Sequence, residues 1–371
     1  MKSSRFGKKK IIPTIFAASL VILLLSAAAL GGCTTGETPG PGADGDGAKT
    51  FEPVNLSYAH FFPDVHIMSK EIVDAWAEEI EKATDGRVTV TNYPGETLLK
   101  ADKTYEGVIE GVADIGLSFF SYNRGRFPLM EAVEMPGIPY NNATAAAAAG
   151  FDFARMMEPE ELKDTKLLMV GTSGPIHAIT KGKQVVTLED MKGLELQTTG
   201  ISALAAEALG AIPVAMPMSE TYEALSRGVI TGYLGPVEAL EGFRLADEID
   251  YATICKFIYS GLYYITMNKD KFESLPDEIQ DIIVETSDKF QKDAVAGIFD
   301  VMNKQAYEYS LDKGIEFSML SDEEAERWIE QLIPIQEDYV NTDDGLPRKE
   351  ALELAKELAE KYNKEFPPTP Y

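Results

Sequence analysis

Apolar residues recur along this chain at two spacings, one helical and one strand-like. Ile72, Trp76 and Ile80 lie four residues apart, which predicts an amphipathic helix over 66–83. Valine alternates with threonine over 88–91, which predicts a strand directly after that helix. Alternating strands and helices are typical of an α/β architecture. Further strands are predicted over 51–59, 114–120, 167–170, 193–198, 212–216 and 229–234, and further helices over 101–110, 143–157, 201–209, 219–227, after Ser321, and over 347–364.

Two longer segments predict that the fold has two connected parts. The β-rich segments 251–259 and 262–267 follow each other directly, as expected for strands that cross between domains. From 277 to 313 the helical pattern is interrupted only by Gly297. Such a stretch exceeds the ordinary length of a globular helix, so we expect it to span both parts or to bend.

The beginning of the chain has the pattern of a secretory signal. Residues 1–32 carry basic side chains followed by an apolar run from Ile11 to Leu30. The run is long enough to remain in a membrane as an uncleaved signal anchor, which is the alternative. However, Leu30-Gly31-Gly32-Cys33 resembles the lipobox of bacterial lipoproteins, which implies diacylation of Cys33 and attachment to the outer face of the cell membrane. Residues 34–50 lack large apolar side chains and predict a flexible tether.

Composition and charge exclude several functional classes. The 371 residues include 60 acidic and 34 basic side chains, a net charge of −26. All charges in residues 1–32 are positive, so the remainder is more acidic still, which disfavours nucleic-acid binding. Two cysteines and three histidines leave little for a disulfide framework or a metal cluster. We expect no metal, no cofactor and no nucleic-acid partner.

No residues form a convincing catalytic set. The segment Gly171-Thr172-Ser173-Gly174 does not have the spacing of a nucleophile elbow. Cys255 lies inside an apolar strand pattern, where a buried, inert thiol is the usual outcome. The sequence therefore favours a binding protein over an enzyme. The enzyme alternative is a two-domain lyase or deaminase that would use Glu220 and His177.

The candidate binding residues are aromatic. They follow predicted strands, at the ends where α/β sheets present ligands. We expect an aromatic-lined cleft between two α/β lobes, with Phe61, Phe119 and Tyr264 equally compatible with the core. The aromatic candidates are Tyr58, His60, Phe61 and Phe62 after the first strand, Phe119, Phe120 and Tyr122 after another, and Tyr259, Tyr263 and Tyr264 beside the crossing.

Several strings together resemble one family of receptors. They are YAHFFPDVH over 58–66, WAEEIEKATDGRVTVTNYPGETL over 76–98, GVADIGLSFFSYNRGRFPLMEA over 111–132 and LGAIPVAMPMSETYEALSRGVITG over 209–232. The chain resembles the solute-binding receptors of tripartite ATP-independent periplasmic (TRAP) transporters, of the dicarboxylate-receptor type called DctP. The last string matches the family block in both spacing and residue type.

The resemblance implies a two-lobed periplasmic-binding-protein-like fold. It predicts a central cleft that closes around a small ligand, several crossings between the lobes, and a long helix shared by both. The expected boundaries are 51–174 plus 263–302 for lobe I, and 175–262 plus 303–371 for lobe II.

Two positions depart from the pattern that the family implies for its ligand contacts. Gln197 stands where an arginine would hold the ligand carboxylate, and Gly235 stands where an asparagine would contact the ligand. Arginine offers a charge and a bidentate fork, whereas glutamine offers neutral hydrogen bonds.

Three explanations of these departures remain open. The ligand is neutral, cationic or mainly aromatic and is held by Tyr233 and the aromatic cluster. Alternatively, Arg124 or Arg126 supplies the charge from the other lobe, or the receptor has drifted and binds poorly.

The resemblance and the residues together predict a lipid-anchored, extracytoplasmic receptor that delivers a small organic solute to the permease subunits of a TRAP transporter. The alternatives are a ligand-sensing lipoprotein that signals to a membrane kinase and an ABC-type solute receptor. Glu220 is compatible with a ligand contact or with a helix N-terminus. The expected ligand contacts are His60, Phe61, Phe62, Phe120, Tyr122, Gln197, Thr199, Tyr233 and Gly235.

Overall fold

The computed structural model describes residues 52–368, and over this range the chain forms two β-sheets flanked by helices. The predicted α/β class is therefore confirmed. Cys33, the expected lipidation site, and residue 51 lie outside the described residues. The strands are β1 Val54–His60, β2 Val88–Tyr93, β3 Ile115–Phe119, β4 Thr165–Pro175, β5 His177–Thr180, β6 Glu195–Thr198, β7 Ile212–Ala215, β8 Gly232–Gly235, β9 Tyr251–Ile254, β10 Ser260–Asn268 and β11 Glu316–Met319.

The direction of the strands determines where loops can meet. The five-stranded sheet has the order β2-β1-β3-β10-β4, in which β1 is parallel to both β2 and β3. The six-stranded sheet has the order β11-β9-β5-β8-β6-β7, in which β6 is parallel to both β7 and β8. Parallel strands end at the same edge of a sheet, so each sheet collects several loops at one edge.

The chain passes between the two sheets twice in adjacent places. The strand β4 belongs to the five-stranded sheet and β5 to the six-stranded sheet, with only Ile176 between them. The chain returns between β9 and β10. The backbone N–H of Ile176 donates to the carbonyl of Tyr259 at 3.0 Å, which ties the two crossings together. The crossing expected at the boundary of the segments 251–259 and 262–267 is thus present.

Helices cover both sheets. The C-terminal helix, 348–365, packs on the alanine-rich helix 143–157, which covers β4. The predicted boundaries place the first of these helices in lobe II and the second in lobe I. The boundaries themselves stay a prediction. The α-helices are α1 Ala75–Ala83, α2 Thr104–Ile109, α3 Ala143–Met157, α4 Ser202–Ala208, α5 Met218–Ser226, α6 Ala239–Gly242, α7 Lys269–Glu273, α8 Asp277–Phe290, α9 Ile298–Asp312, α10 Asp322–Asn341 and α11 Arg348–Glu365.

The predicted long helix is interrupted. After α8 the backbone makes a π-helical segment, Gln291–Val295, and α9 starts only after Gly297. The helix predicted over 66–83 likewise begins as a π-helical segment, Met68–Asp74, before α1. A π-helical turn is a usual place for a helix to bend, and the interrupted stretch contacts both β4 of the five-stranded sheet and the helix Ala239–Gly242 that follows β8 of the six-stranded sheet.

Several strands differ from the sequence prediction; β5, for example, was not predicted. The predicted strand 229–234 is present only as β8, because the residues after Gly228, whose φ is +68°, still close the end of α5. The segment 251–259 is a strand only as far as Ile254. The strand β11 was not predicted, because its four residues are half-buried or exposed and carry no clear alternation. Among the described residues, no helix has the length and apolar content needed to cross a membrane.

Candidate functional site

A cavity lies where loops from the two sheets meet. The five-stranded sheet contributes the residues after β1 and around the end of β3, and the six-stranded sheet contributes β6 and the residues after β7 and β8. We call it the inner cavity; about 40 Å³ of it is free for water-sized molecules, within about 450 Å³ of atom-free space that includes open solvent. This free space is below the range of about 300–1,000 Å³ that is usual for ligand pockets, so a ligand can enter only when the loops move apart. Its lining comprises Phe61, Phe62, Phe119, Tyr122, Ser173, Ile176, Gln197, Thr199, Met218, Leu234, Gly235, Pro236, Glu238, Ala239, Phe243, Tyr259 and Phe299.

Aromatic rings form much of the wall, and Phe61 is at their centre. Its ring stacks on Phe62 with centroids 4.2 Å apart. Tyr122 meets Phe61 edge to face at 5.4 Å, and Phe243 stacks parallel to it at 6.3 Å. Phe61 is only 2% exposed, so these contacts fix its position. Such a wall offers flat apolar faces to a planar ligand.

The side-chain amide of Gln197 has one atom without a hydrogen-bond partner, its oxygen. Its Nε2 donates to the carbonyl oxygen of Met216 at 2.8 Å. Its Oε1 is buried and has no hydrogen-bond partner in the protein. A buried acceptor without a partner is destabilising by about 1–3 kcal/mol, so a ligand that donates to it would gain a favourable contact.

The acidic residue Glu238 is also part of the wall, and together with His66 and Gly242 it lines a neighbouring cavity. Glu238 follows β8, and its Oε1 accepts from Nε2 of His66 at 2.6 Å. The Nδ1 of His66 accepts the backbone N–H of Met68 at 3.1 Å, so the ring hydrogen is on Nε2. The backbone N–H of Glu238 donates to Asn303 Oδ1 at 2.9 Å, and Asn303 also donates to the carbonyl of Ser173. Glu238 is thus held in place by segments that are far apart in the sequence.

Hydrogen bonds join the two sides of the cavity. The backbone N–H of Met218 donates to the Tyr122 hydroxyl at 3.3 Å. The Thr199 hydroxyl donates to that of Ser121 at 3.2 Å. Burial raises the pKa of Tyr122 well above its ordinary value, so the hydroxyl stays protonated. Tyr122 and Ser121 follow β3 of the five-stranded sheet, whereas Thr199 follows β6 and Met218 follows β7 of the six-stranded sheet. The loops of the two sheets are therefore in contact, which is a closed arrangement.

Six of the nine expected contact residues line the inner cavity. Phe61 was compatible with either the core or the cleft and is found in the cleft wall, as is Phe119, whereas Tyr264 is buried in the core. The six are Phe61, Phe62, Tyr122, Gln197, Thr199 and Gly235.

The other three residues lie outside the lining for identifiable reasons. His60 is turned towards Asn92, with Nε2 2.8 Å from Oδ1, and burial lowers its pKa to about 4. Phe120 packs edge to face against Phe127 and Tyr264 in the core. Tyr233 is fully buried beside Gly235, where a Cβ would lie 2.5 Å from the Tyr233 ring. The Tyr233 ring thus occupies the space that a side chain at position 235 would need.

Several lining residues were not expected from the sequence. Glu238 and Phe243 belong to no recognised motif. The one signal that could have indicated them is their position within a few residues after Gly235-Pro236, where the family pattern is altered. Met218 lies in the most specific resembling string. Phe299 comes from α9, and its approach to the cleft depends on the bend between α8 and α9.

The two candidate arginines have different surroundings. Arg126 donates to Glu106 at 3.0 Å, to Asp164 at 2.7 Å and to the carbonyl of Glu161 at 3.1 Å, so it stabilises its own loop. Arg124 lines a second, outer cavity of about 1110 Å³ of atom-free space. The outer cavity shares Tyr122 and Thr199 with the inner one and also includes Glu220.

The residues of the enzyme alternative do not come together. His177 lies in β5, accepts the backbone N–H of Cys255 at 3.1 Å, and lines neither cavity. Burial lowers the pKa of His177 to about 3 and raises that of the Cys255 thiol to about 12. Within residues 52–368, no group of three His, Cys, Asp or Glu side chains is arranged to hold a metal ion.

Comparisons with known proteins agree with this geometry. The family model of the bacterial extracellular solute-binding proteins, family 7 (DctP), matches residues 58–343. The C4-dicarboxylate-binding periplasmic protein DctP of Rhodobacter capsulatus is 27% identical over 298 residues, which cover 77% of this chain and 86% of that protein. The 2,3-diketo-L-gulonate-binding periplasmic protein YiaO of Escherichia coli is 25% identical over 240 residues, which cover 62% of this chain and 71% of that protein.

Solved structures of TRAP solute-binding proteins have the same fold. A marine metagenome protein specific for aromatic acid ligands, in complex with metahydroxyphenylacetate, is 28% identical with a TM-score of 0.80, covering 84% of this chain and 99% of that one. A Bordetella bronchiseptica protein with bound (R)- and (S)-mandelate is 28% identical with a TM-score of 0.77, covering 83% and 99%.

These matches confirm the predicted receptor function and do not favour the kinase-signalling or ABC-type alternatives. The chain belongs to the bacterial extracellular solute-binding proteins of family 7, the DctP family of TRAP transporter solute receptors.

Proposed function

We propose that this receptor captures a small aromatic solute in the inner cavity and delivers it to a membrane permease, while diacylated Cys33 holds it on the outer face of the membrane. The anchor is supported by the string Leu30-Gly31-Gly32-Cys33 and by the tether that follows. The observation that carries the ligand class is the wall of stacked rings around Phe61. Two relatives of similar fold hold single-ring aromatic acids, which supports a ligand of that size.

Capture is proposed to occur by closure of two lobes. The bonds from Met218 to Tyr122 and from Thr199 to Ser121 link loops of the two sheets. A ligand in the inner cavity touches both sides only when these loops meet, so it stabilises the closed arrangement. We propose the boundaries 51–174 plus 263–302 and 175–262 plus 303–371 for the moving parts.

Small aromatic compounds are expected to raise the thermal stability of the full chain in detergent, whereas C4-dicarboxylates and sugar acids are not. A ligand that binds only the folded state adds about 2.7 kcal/mol of stability at a hundredfold excess over its dissociation constant. The measurement is a thermal unfolding scan against a panel of aromatic amines, alcohols and acids, dicarboxylates and sugar acids. A response to dicarboxylates or sugar acids alone would refute the proposed aromatic class.

Gly200→Ala is expected to weaken ligand binding by tenfold or more. A Cβ at position 200 would lie 2.8 Å from the carbonyl oxygen of Ser121, across the contact between the two sides of the cavity. The new methyl group would therefore hold the loops apart, and closure would cost more free energy. The measurement is a calorimetric titration with the aromatic compound that the thermal scan identifies.

Gly182→Ala is the matched control for this change. Gly182 has a φ of +76° and Gly200 a φ of +48°, so both substitutions place alanine in the left-handed region at a similar backbone cost. A Cβ at position 182 meets no atom within 4 Å. Equal losses of affinity in the two variants would show that backbone strain, not obstructed closure, is responsible.

A further inference from the structure

We propose that the inner cavity selects an aromatic ligand with a protonated amine, in contrast to the aromatic acids held by the two relatives described above. This inference rests on the proposed function and specifies the chemical class of its solute. It depends on two side chains of the wall, Gln197 and Glu238, and on the charge balance of the cavity they face.

The orientation of Gln197 determines what its ligand must offer. The amide group nearest Met216 must be the NH₂, because a carbonyl oxygen at 2.8 Å from the Met216 carbonyl would place two acceptors together. The amide oxygen is therefore the atom left unpaired, in a side chain that is 1% exposed. An unpaired acceptor calls for a ligand N–H or O–H, and it repels a carboxylate, which has no hydrogen to donate.

Glu238 makes the inner cavity negative. With Nδ1 of His66 accepting from Met68, the imidazole carries one hydrogen, on the Nε2 that donates to Glu238. An ionised Glu238 beside this neutral imidazole gives the pair a single negative charge. Among the described residues that line the inner cavity, none is lysine or arginine. A ligand ammonium group would balance this charge, whereas a ligand carboxylate would add a second negative charge in a site with little water.

The position of Glu238 is maintained by close packing. A Cβ on Gly242, one turn further along, would lie 2.0 Å from Glu238 Oε1 and 2.6 Å from the His66 ring, so only glycine fits there. The side chains of Glu238 and His66 are 5% and 1% exposed. The carboxylate is thus enclosed beside the cavity and is shielded from the salt that would screen a surface charge.

The aromatic wall suits the same ligand. Cations are attracted to the faces of aromatic rings, and the rings of Phe61 and Phe62 lie in the same cavity as Glu238. The candidate cations for a carboxylate ligand, Lys100, Lys103 and Arg124, line the outer cavity and not the inner one. An acid in the inner cavity would therefore have no lysine or arginine among the residues that line it.

The test is a calorimetric titration of the full chain in detergent with three probes of matched size, benzylamine, benzyl alcohol and benzoate. Benzylamine is expected to bind at least tenfold more tightly than benzyl alcohol, and benzoate is expected to bind more weakly than both. Benzyl alcohol can still donate a hydrogen bond to Gln197, but it has no positive charge to pair with Glu238. The ratio of the benzylamine and benzyl alcohol affinities therefore measures the contribution of charge.

Two variants separate the contributions of the two side chains. Glu238→Gln keeps an acceptor for His66 and should reduce benzylamine binding at least tenfold while changing benzyl alcohol binding less than threefold. Gln197→Leu should weaken the amine and the alcohol alike. Glu241→Gln, which removes an exposed carboxylate three residues from Glu238, is the matched control and should leave the benzylamine affinity unchanged. Retained binding of benzyl alcohol by Glu238→Gln shows that this variant is folded.

Three results would overturn the inference, and they can be told apart. If benzoate binds as tightly as benzylamine or more tightly, the inference is wrong while the aromatic receptor function stands, and loss of that binding in Arg124→Gln would identify the outer arginine as the carboxylate partner. If Glu238→Gln leaves the preference for benzylamine intact, Glu238 is not the source of selectivity. If none of the three probes binds, both the inference and the proposed aromatic class fail.

Discussion

Replacing Glu134 with glutamine should remove most of the fall in stability that we expect between pH 5 and pH 8. Glu134 is fully buried, and its Oε1 accepts the backbone N–H of Leu262 at 2.7 Å. Its other oxygen, Oε2, has no partner in the protein. Burial disfavours the charged form and raises the pKa of Glu134 from 4.5 to about 8.

The direction of the pH dependence follows from this shift. Because the pKa is higher in the folded state than in the unfolded state, the folded state binds the proton more tightly. The resulting stability is complete below pH 4.5 and is lost as the pH rises through about 8. The total loss attributable to this group is about 5 kcal/mol, and a glutamine at 134 keeps the acceptor for Leu262 without titrating.

Denaturant unfolding of the two proteins at a series of pH values measures this effect. The comparison uses the change of stability with pH and not the absolute stability. In the variant, the amide NH₂ that replaces Oε2 would also lack a hydrogen-bond partner, which lowers stability at every pH. Glu71→Gln, at an exposed position, is the control and should retain the parental pH dependence. Parallel curves for Glu134→Gln and the parent protein would mean that Glu134 does not titrate in this range.

Gln291→Ala is expected to lower the free energy of unfolding by about 2–5 kcal/mol. The strand β4 lies at the edge of the five-stranded sheet, so one side of it has no neighbouring strand. Gln291 covers part of this edge: Val170 donates its N–H to Oε1 at 2.9 Å, and Nε2 donates to the Val170 carbonyl at 2.8 Å. Alanine would leave both buried backbone groups without a partner, at about 1–3 kcal/mol each.

A second glutamine provides the comparison. Gln280 is half-buried and makes a single bond, from Nε2 to the Leu275 carbonyl at 2.8 Å. Gln280→Ala is therefore expected to cost less than about 1.5 kcal/mol. Equilibrium unfolding in urea of both variants tests the difference, and similar losses would mean that water or backbone adjustment satisfies Val170 when Gln291 is removed.

The π-helical segment explains why Gln291 can serve this edge. The segment Gln291–Val295 separates α8 from α9, and its first residue turns a polar side chain towards β4. The same bend allows α9 to bring Asn303 between Ser173 and Glu238. One irregularity in the helical stretch thus supports both the edge of a sheet and the wall of the inner cavity.

Local patterns predicted most elements of the fold but fewer of the site residues. The helix predicted over 143–157 has those bounds in the structure, because alanine-rich sequence and an N-terminal asparagine cap are local signals. His60 and Phe61 are adjacent at the end of β1, yet only Phe61 reaches the cavity. The strand ends at His60 and the chain bends at Phe61 and Phe62, so strand alternation does not decide which residues reach the cavity, and the position of the other sheet does.

The sequence by itself determined the α/β class, the alternation of strands and helices, the family, and the loss of the expected arginine at Gln197, since each depends on residue identity and short-range spacing. Only the tertiary structure decided that the Gln197 amide oxygen is left without a partner and that His66 meets Glu238, which lies 172 residues further along the chain. The physical reason is that hydrogen bonds between distant segments form only when the whole chain packs, and no local pattern records which partner each buried polar group finds.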